Sequence, residues 1–339
     1  LIYELLKKSG LEAGRNLFLG GNIGKCAMDF FDDVQGDGVV VLELSSFQLH
    51  DLSKAPHYAV LLNTSEDHLD YHADREEYME AKEKLLSLQH SDSVAVLNKD
   101  YPYYQYYREL VQGELLEVST CGPVEDGAFV EDGKVWVTRM GEKMKVLGVD
   151  EVGLIGAHNL ENIVAALAIA GELMVSVRNA AEVVREFKNL PYRLQFVREL
   201  KGVSFYNDSY STTPDTAIAA VESFSAPTVL IAGGRDKGGT YSEWAEKILT
   251  RENLHTVVLI GECAEMMEKE LMLAEERLGD GVGSPTKILR RGKMEQAVLD
   301  AYAEADDGGV VVMSPGATSL DMYKNYKERG NDFIAQVRK

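Results

Sequence analysis

Cysteine is scarce in this sequence, with three residues, Cys26, Cys121 and Cys263, among 339. They are far apart and odd in number, which excludes a disulfide framework and zinc-ligand spacing and points to a reducing compartment. Basic residues are also few, 35 Lys and Arg against 55 Asp and Glu, for a net charge of −20. Such a chain repels nucleic acid and anionic membrane surfaces, so neither is expected as a partner. No apolar run approaches the ~18 residues of a membrane helix, and the first residues show no charged-then-apolar signal pattern. Two nucleotide signatures are missing as well. A phosphate loop needs G-x-x-x-x-G-K-[ST]; around Gly24-Lys25 the first glycine would fall on Leu19 and the last position on Cys26. The GGRDKGG stretch lacks the G-x-G-x-x-G spacing of a dinucleotide site. These absences predict a soluble cytoplasmic protein that binds any anionic ligand locally, through positioned lysines, helix N-termini or metal.

What is present reads as α/β. The length suits two domains, and Pro191-Tyr192-Arg193 punctuates the chain near Leu190. We place the boundary there, giving domains 1–190 and 191–339. The chain starts at Leu1 inside a helical pattern (Leu1, Ile2, Leu5, Leu6, with Gly10 as a stop), which reads as a fragment. Residues 17–24 read as a short apolar run and a glycine-rich turn, and buried-strand candidates follow at 38–44, 58–62 and 93–98, with Asp132-Gly133 as a hairpin signal. The tyrosine-rich 101–110 stretch reads as packed surface rather than a base-stacking platform. After residue 190 the runs VSFYND, APTVLIAGG, TVVLIGE, PTKILR and GVVVMSP alternate with helix-compatible segments, the pattern of a parallel doubly wound sheet.

Polar loops at the carboxyl ends of such strands are where open α/β sheets bind ligands. The apolar run Tyr58–Leu62 passes into Asn63, Glu66, Asp67, His68, Asp70 and His72, and then a helix carrying Lys82. A hard cation such as Mg²⁺ takes a few oxygen or imidazole donors and keeps its water; a solvated acidic loop is the plainer alternative. Glu43, at the tail of an apolar strand, needs a partner if buried. A metal or a hydrogen-bonded structural role would each serve, and Glu43 and His68 are the first-choice ligands. Gly20, Gly21 and Gly24 allow a tight turn, beside a ligand or structural only. Asn159 stands where a ligand could meet a helix N-terminus, or where an N-cap belongs.

Taken together, GGNIG (20–24), LELSSFQL (42–49), NTSEDHLDYH (63–72), EYMEAK (77–82), HNLENIVAALAIA (158–170), LPYR (190–193), FYNDS (205–209), TTPDTAIAA (212–220), AGGRDKGG (232–239) and SPGATSLDMYKNYKERGNDF (314–333) resemble the Mur ligases, nearest to their D-glutamate-adding branch. The resemblance covers the central and C-terminal domains in order. It implies a P-loop NTPase-like central domain, here without its first strand and phosphate loop, followed by a Rossmann-like C-terminal domain that binds the amino acid. It also implies an ATP- and Mg²⁺-dependent amide ligase of peptidoglycan synthesis, monomeric, and so a role in cell shape and division. In that chemistry the carboxylate of UDP-N-acetylmuramoyl-L-alanine is activated as an acyl phosphate and D-glutamate displaces the phosphate.

By the same resemblance, Glu43, His68 and a carbamylated Lys82 are expected around Mg²⁺. Asn159, Arg193 and Asp208 are expected around the adenine, phosphates and ribose of ATP. Asn22, Ser45 and Gln48 would contact the UDP-linked substrate, and Thr212, Lys237, Ser319, Leu320 and Tyr326 would seat D-glutamate. Lys82, His68 and Lys237 are the expected catalytic residues. Three departures stand out: the uridine-gripping N-terminal domain and the phosphate loop are absent, Tyr210 replaces the lysine of the usual Asn-Asp-Ser-Lys motif, and Tyr326 stands where phenylalanine is usual. The parent protein is therefore expected to be the ligase and this chain alone to be inactive. A partner-dependent, non-catalytic subunit and another ligase of the superfamily, diamine-adding or folate-polyglutamate-type, are the alternatives.

Overall fold

The first helical pattern folds as its spacing predicts. In the computed structural model, which describes residues 1–11, 16–23, 25–64, 75–236, 238, 240–279 and 286–339, α1 (Ile2–Lys8) buries Leu5 and Leu6. The strand β1 (Leu17–Gly21) follows and pairs in parallel with β2 (Val39–Glu43), with Gly21 opposite Glu43. The Gly21 turn has a structural cause: its φ is +105°, and a Cβ there would lie 2.0 Å from the Glu43 carbonyl oxygen. Only glycine permits this closeness of the two strands.

One strand departs from expectation. β2 is not buried on both faces. Val39 and Val41 pack on the core, but Val40 and Leu42 are 37% and 41% exposed. Among the described residues β2 pairs with β1 alone, so its other edge and one face lack a covering element.

The elements α2 (Ser46–His50), β3 (Tyr58–Leu61), α3 (Arg75–Ser87), β4 (Val94–Asn98), α4 (Tyr104–Arg108), β5 (Glu114–Ser119), β6 (Gly127–Glu131), β7 (Lys134–Arg139) and β8 (Glu142–Gly148) come next. Strands β3 to β8 form a sheet in sequence order. Its first four strands are parallel, whereas β6, β7 and β8 run antiparallel. The β6–β7 hairpin turns at Asp132 and Gly133, both at positive φ, the geometry that an Asp-Gly turn supplies. Period-two alternation sends Val94 and Val96 to one core and Ala95 and Leu97 to another. Tyr104 and Tyr107 of α4 are buried in the second, while Tyr106 on the same helix is exposed. α5 (Ala157–Glu172) and α6 (Val177–Glu186) cover the opposite face.

The chain divides into two compact units, one of Leu1–Leu154 with His158–Phe187, the other of Ile155–Ala157 with Lys188–Lys339. The second unit begins with β9 (Gln195–Leu200) and β10 (Val203–Asn207), an antiparallel pair. It continues as α7 (Pro214–Glu222), β11 (Thr228–Gly233), α8 (Ser242–Leu249), β12 (Leu254–Ile260), α9 (Ala264–Leu278), β13 (Lys287–Arg291), α10 (Met294–Ala303), β14 (Val310–Met313) and α11 (Tyr326–Arg338). The sheet order is β13-β12-β11-β14-β10-β9, parallel except for β9. Leu230, Val257, Leu259 and Val312 face one helical layer, and Ile231, Val258, Ile260 and Val311 face the other. Burial on both faces explains why these strands read as continuous apolar runs. β9 (QFVREL), which carries charge and is partly exposed, gave no such signal.

Candidate active site

In the first unit the parallel β1–β2 pair brings Asn22 beside Glu43, whose carbonyl accepts the Asn22 N–H at 2.8 Å. The Glu43 side chain is exposed and makes no hydrogen bond or ion pair among the described residues. It therefore escapes the burial cost that the apolar strand implied, and its oxygens are open to a ligand. Two residues on, Ser45 donates from its N–H (3.0 Å) and hydroxyl (3.1 Å) to Gln48 Oε1. Gln48, third in α2, meets the residue before the helix as the acceptor half of a capping box does, so both side chains have structural work at the carboxyl end of β2. α2 packs on α3, pinned by His50 Nε2 at 3.6 Å from Glu77 and by Lys84, which donates to the His50 carbonyl.

Lys82 lies on α3, half-buried, with its ammonium 5.0 Å from the centroid of the Tyr78 ring one turn earlier. His68 and its neighbours Glu66, Asp67, Asp70 and His72 lie outside the described residues. Among those described, no three His, Cys, Asp or Glu side chains cluster as a metal site.

Asn159 lies within the first turn of α5, so it is not the helix's N-cap; its Oδ1 accepts from Asn162 at 3.3 Å. Glu161 on the same turn accepts from the Tyr101 hydroxyl at 2.7 Å. Tyr101 also meets Asn98 and the Asn63 backbone, so the start of α5 stands at the carboxyl ends of β3 and β4.

In the second unit the loops after β10, β11 and β14 meet around one buried cation, Arg329 of α11, 1% exposed. Its Nε donates to Ser209 Oγ (3.1 Å), Nη2 to the Ser209 carbonyl (3.0 Å), and Nη1 to the carbonyls of Ala317 (3.0 Å) and Gly233 (3.4 Å). Burial pushes this guanidinium down to about 10, with Asp321 the largest opposing charge. Asp208, 6% exposed, is a second tie. Its oxygens accept from the Leu194 N–H at 3.0 Å and the Ser314 hydroxyl at 2.7 Å. Desolvation raises its carboxyl to about 6, opposed by the Ser314 and Ser211 hydroxyls, the Leu194 amide and the charge of Arg193.

These ties bring Arg193, Asp208, Thr212, Ser319 and Tyr326 to one sheet edge. Ser319 is buried and its carbonyl accepts the Tyr323 N–H at 2.8 Å, while Leu320 beside it is exposed. Tyr326 opens α11, its carbonyl bonded by the Ser209 hydroxyl at 2.8 Å. Lys237 lies outside the described residues. Arg235 is neutralised by a bidentate pair with Glu262 (3.0 and 3.1 Å). Sequence reasoning misses Arg329. Its motif is visible in KERGNDF, but the residue type gives no sign of burial.

Comparison with known proteins agrees with this architecture. Residues 20–170 match the Mur ligase middle domain and residues 192–316 the Mur ligase glutamate ligase domain. The chain is 39% identical over 342 residues to the UDP-N-acetylmuramoylalanine–D-glutamate ligase of Symbiobacterium thermophilum, spanning 99% of this chain and 71% of that protein. It is 37% identical over 334 residues to the enzyme of the same name from Acetivibrio thermocellus, spanning 98% and 70%. Among solved structures it resembles in fold the MurF ligase of Thermotoga maritima in complex with ADP, at TM-score 0.62 and 18% identity, covering 98% and 82% of the two chains. It likewise resembles a pseudomurein peptide ligase type C from Methanothermus fervidus, at TM-score 0.65 and 16% identity, covering 100% and 75%. On its sequence identity and its two matched domains, this chain belongs to the Mur ligase family.

Proposed function

We propose that this chain carries the central and C-terminal parts of an ATP-dependent ligase that joins D-glutamate to UDP-N-acetylmuramoyl-L-alanine in the cytoplasm, as a monomer, during peptidoglycan synthesis. The observation that carries this reading is identity of 32–39% over nearly the whole chain to enzymes of that name. The residues fit the chemistry. ATP would activate the substrate carboxylate as an acyl phosphate, and the D-glutamate amine would then displace phosphate. Both steps bring anions together, so positioned positive charge is needed where charge develops.

Arg193 would meet the nucleotide's phosphates, Asp208 the ribose and Asn159 the adenine. Asn22, Ser45 and Gln48 would orient the UDP-linked substrate. Thr212, Ser319, Leu320 and Tyr326 would seat D-glutamate, with Lys237 pairing one of its carboxylates. The exposed Glu43 carboxylate, without a partner among the described residues, suits Mg²⁺, as would His68. Lys82 suits the metal only as a carbamate, because an ammonium there repels it. When bound, Mg²⁺ would offset the repulsion between the phosphates and the attacking carboxylate.

These 339 residues contain no G-x-x-x-x-G-K-[ST] loop, so phosphate release by this chain alone should stay near background. The test is phosphate release from ATP with UDP-N-acetylmuramoyl-L-alanine and Mg²⁺, with D-glutamate present or withheld. It is run on the gene product that contains this chain and on the chain alone. Release that needs D-glutamate supports the reading. Release that needs a different amino acid, or none from a folded gene product, would sink it and favour another ligase or a partner-dependent subunit.

A further inference from the structure

Arg193 sits on an unusual piece of backbone. Its neighbours Tyr192 and Leu194 both have positive φ, +67° and +43°, a region costly for side-chain-bearing residues and found where surrounding structure imposes it. Here the imposition is visible. The Tyr192 N–H donates to Gln195 Oε1 at 3.1 Å and the Leu194 N–H to Asp208 at 3.0 Å. The Tyr192 carbonyl accepts the Tyr210 N–H at 3.0 Å.

This kinked segment delivers the Arg193 guanidinium to the face of Tyr210, with Cζ 3.8 Å from the ring centroid. The Tyr210 ring is braced in turn. Tyr326 meets it edge-on at 5.0 Å and 83°, and Tyr192 meets Tyr326 at 5.7 Å and 82°. The Tyr192 hydroxyl donates to Asn331 Oδ1 at 3.0 Å. Yet among the described residues the guanidinium makes no hydrogen bond or ion pair, and the side chain is exposed. A planar fork held by its face, with its N–H edges open, is prepared for an oxyanion with bidentate geometry.

We propose that Tyr210 is a positioning residue that presets the Arg193 guanidinium by stacking, so that its open edge receives a phosphate-type oxyanion. This rests on the reading above that Arg193 meets the nucleotide's phosphates. Tyr210 would act only through Arg193. It supplies a face for the cation, and its hydroxyl plays no part.

The test is a calorimetric double-mutant cycle on the gene product that contains this chain, with two probes, MgATP and inorganic tripolyphosphate, which has no base. Tyr210→Ala should weaken both probes by about 2- to 30-fold, the range of a cation–π contact between exposed and desolvated settings. Tyr210→Phe, which keeps the ring, should stay within about 2-fold of the parent. In an Arg193→Ala background, Tyr210→Ala should change nothing further. An equal loss in that background would overturn the proposal. So would a loss for MgATP without one for tripolyphosphate, since the ring would then be stacking the base. A folded parent gene product whose affinity for both probes is unchanged by Arg193→Ala would overturn the phosphate reading of Arg193 itself, and the inference with it. Tyr210 is 44% exposed, so its variants should fold, which circular dichroism checks.

Discussion

The two units reach a candidate site by different means. In the first, Asn22, Glu43 and Ser45 stand at the end of a two-stranded sheet; among the described residues one face of β2 is uncovered and Glu43 is exposed without a partner. In the second, the sheet is buried on both faces and its carboxyl-edge loops are tied by a fully buried guanidinium and a buried carboxylate. The difference shows where rigidity comes from. A loop that carries ligand contacts can be held from beneath by buried polar bonds, which are strong only when every donor and acceptor is met. It can also be left open, with its geometry completed by what binds. The second unit is built the first way, and the exposed Glu43 at the end of β2, if it meets a ligand as proposed, would be the other.

Three experiments would break or sharpen that contrast. The largest effect is expected from Arg329→Met. It removes the donors to Ser209, Gly233 and Ala317 and leaves buried carbonyls unmet, destabilising the second unit by on the order of 3–5 kcal/mol. A urea midpoint unchanged from the parent would show that the loops do not depend on this hub.

Next comes a pair of identical truncations. Leu259→Ala, at a fully buried position of β12, should cost about 3 kcal/mol, whereas Leu42→Ala on the exposed face of β2 should cost less than about 1 kcal/mol. Equal losses would mean that the open face of β2 is covered in solution.

The smallest effect is a pH dependence. Because Asp208 is raised to about 6 in the folded protein, the native state holds that proton more tightly than the unfolded chain. Its contribution to stability is therefore greatest at low pH and declines as pH rises from about 4 to about 6, by roughly 2–3 kcal/mol. Asp208→Asn should flatten that limb of a stability-against-pH curve. A parent curve without such a limb would show that the hydrogen bonds to Asp208 outweigh its desolvation.

Much of this molecule is legible in its amino-acid sequence. The buried parallel strands announce themselves because Val, Ile and Leu fill both faces, and the Asp132-Gly133 turn because its positive φ values favour those residues. β2 shows the limit of that signal. An apolar run states that a strand suits burial, but whether something covers it is a property of its neighbours. Tyr210 shows a second limit. By sequence it is a lost positive charge, and in the structure its ring carries the cation supplied by Arg193. The roles proposed for Asn22, Ser45, Gln48, Thr212, Ser319 and Leu320 rest on motif resemblance, since their residue types alone carry no ligand signal.

The sequence by itself determined the buried parallel strands, the alternation of strand and helix in the second unit, and the family, because local periodicity and motif spacing are written in consecutive residues. Only the tertiary structure decided that Arg329 is buried among three loops, that Glu43 is exposed, and that Arg193 rests on Tyr210. Each depends on contacts between residues far apart in the chain, and the free energy of burying or stacking a side chain is set by those partners rather than by its own identity.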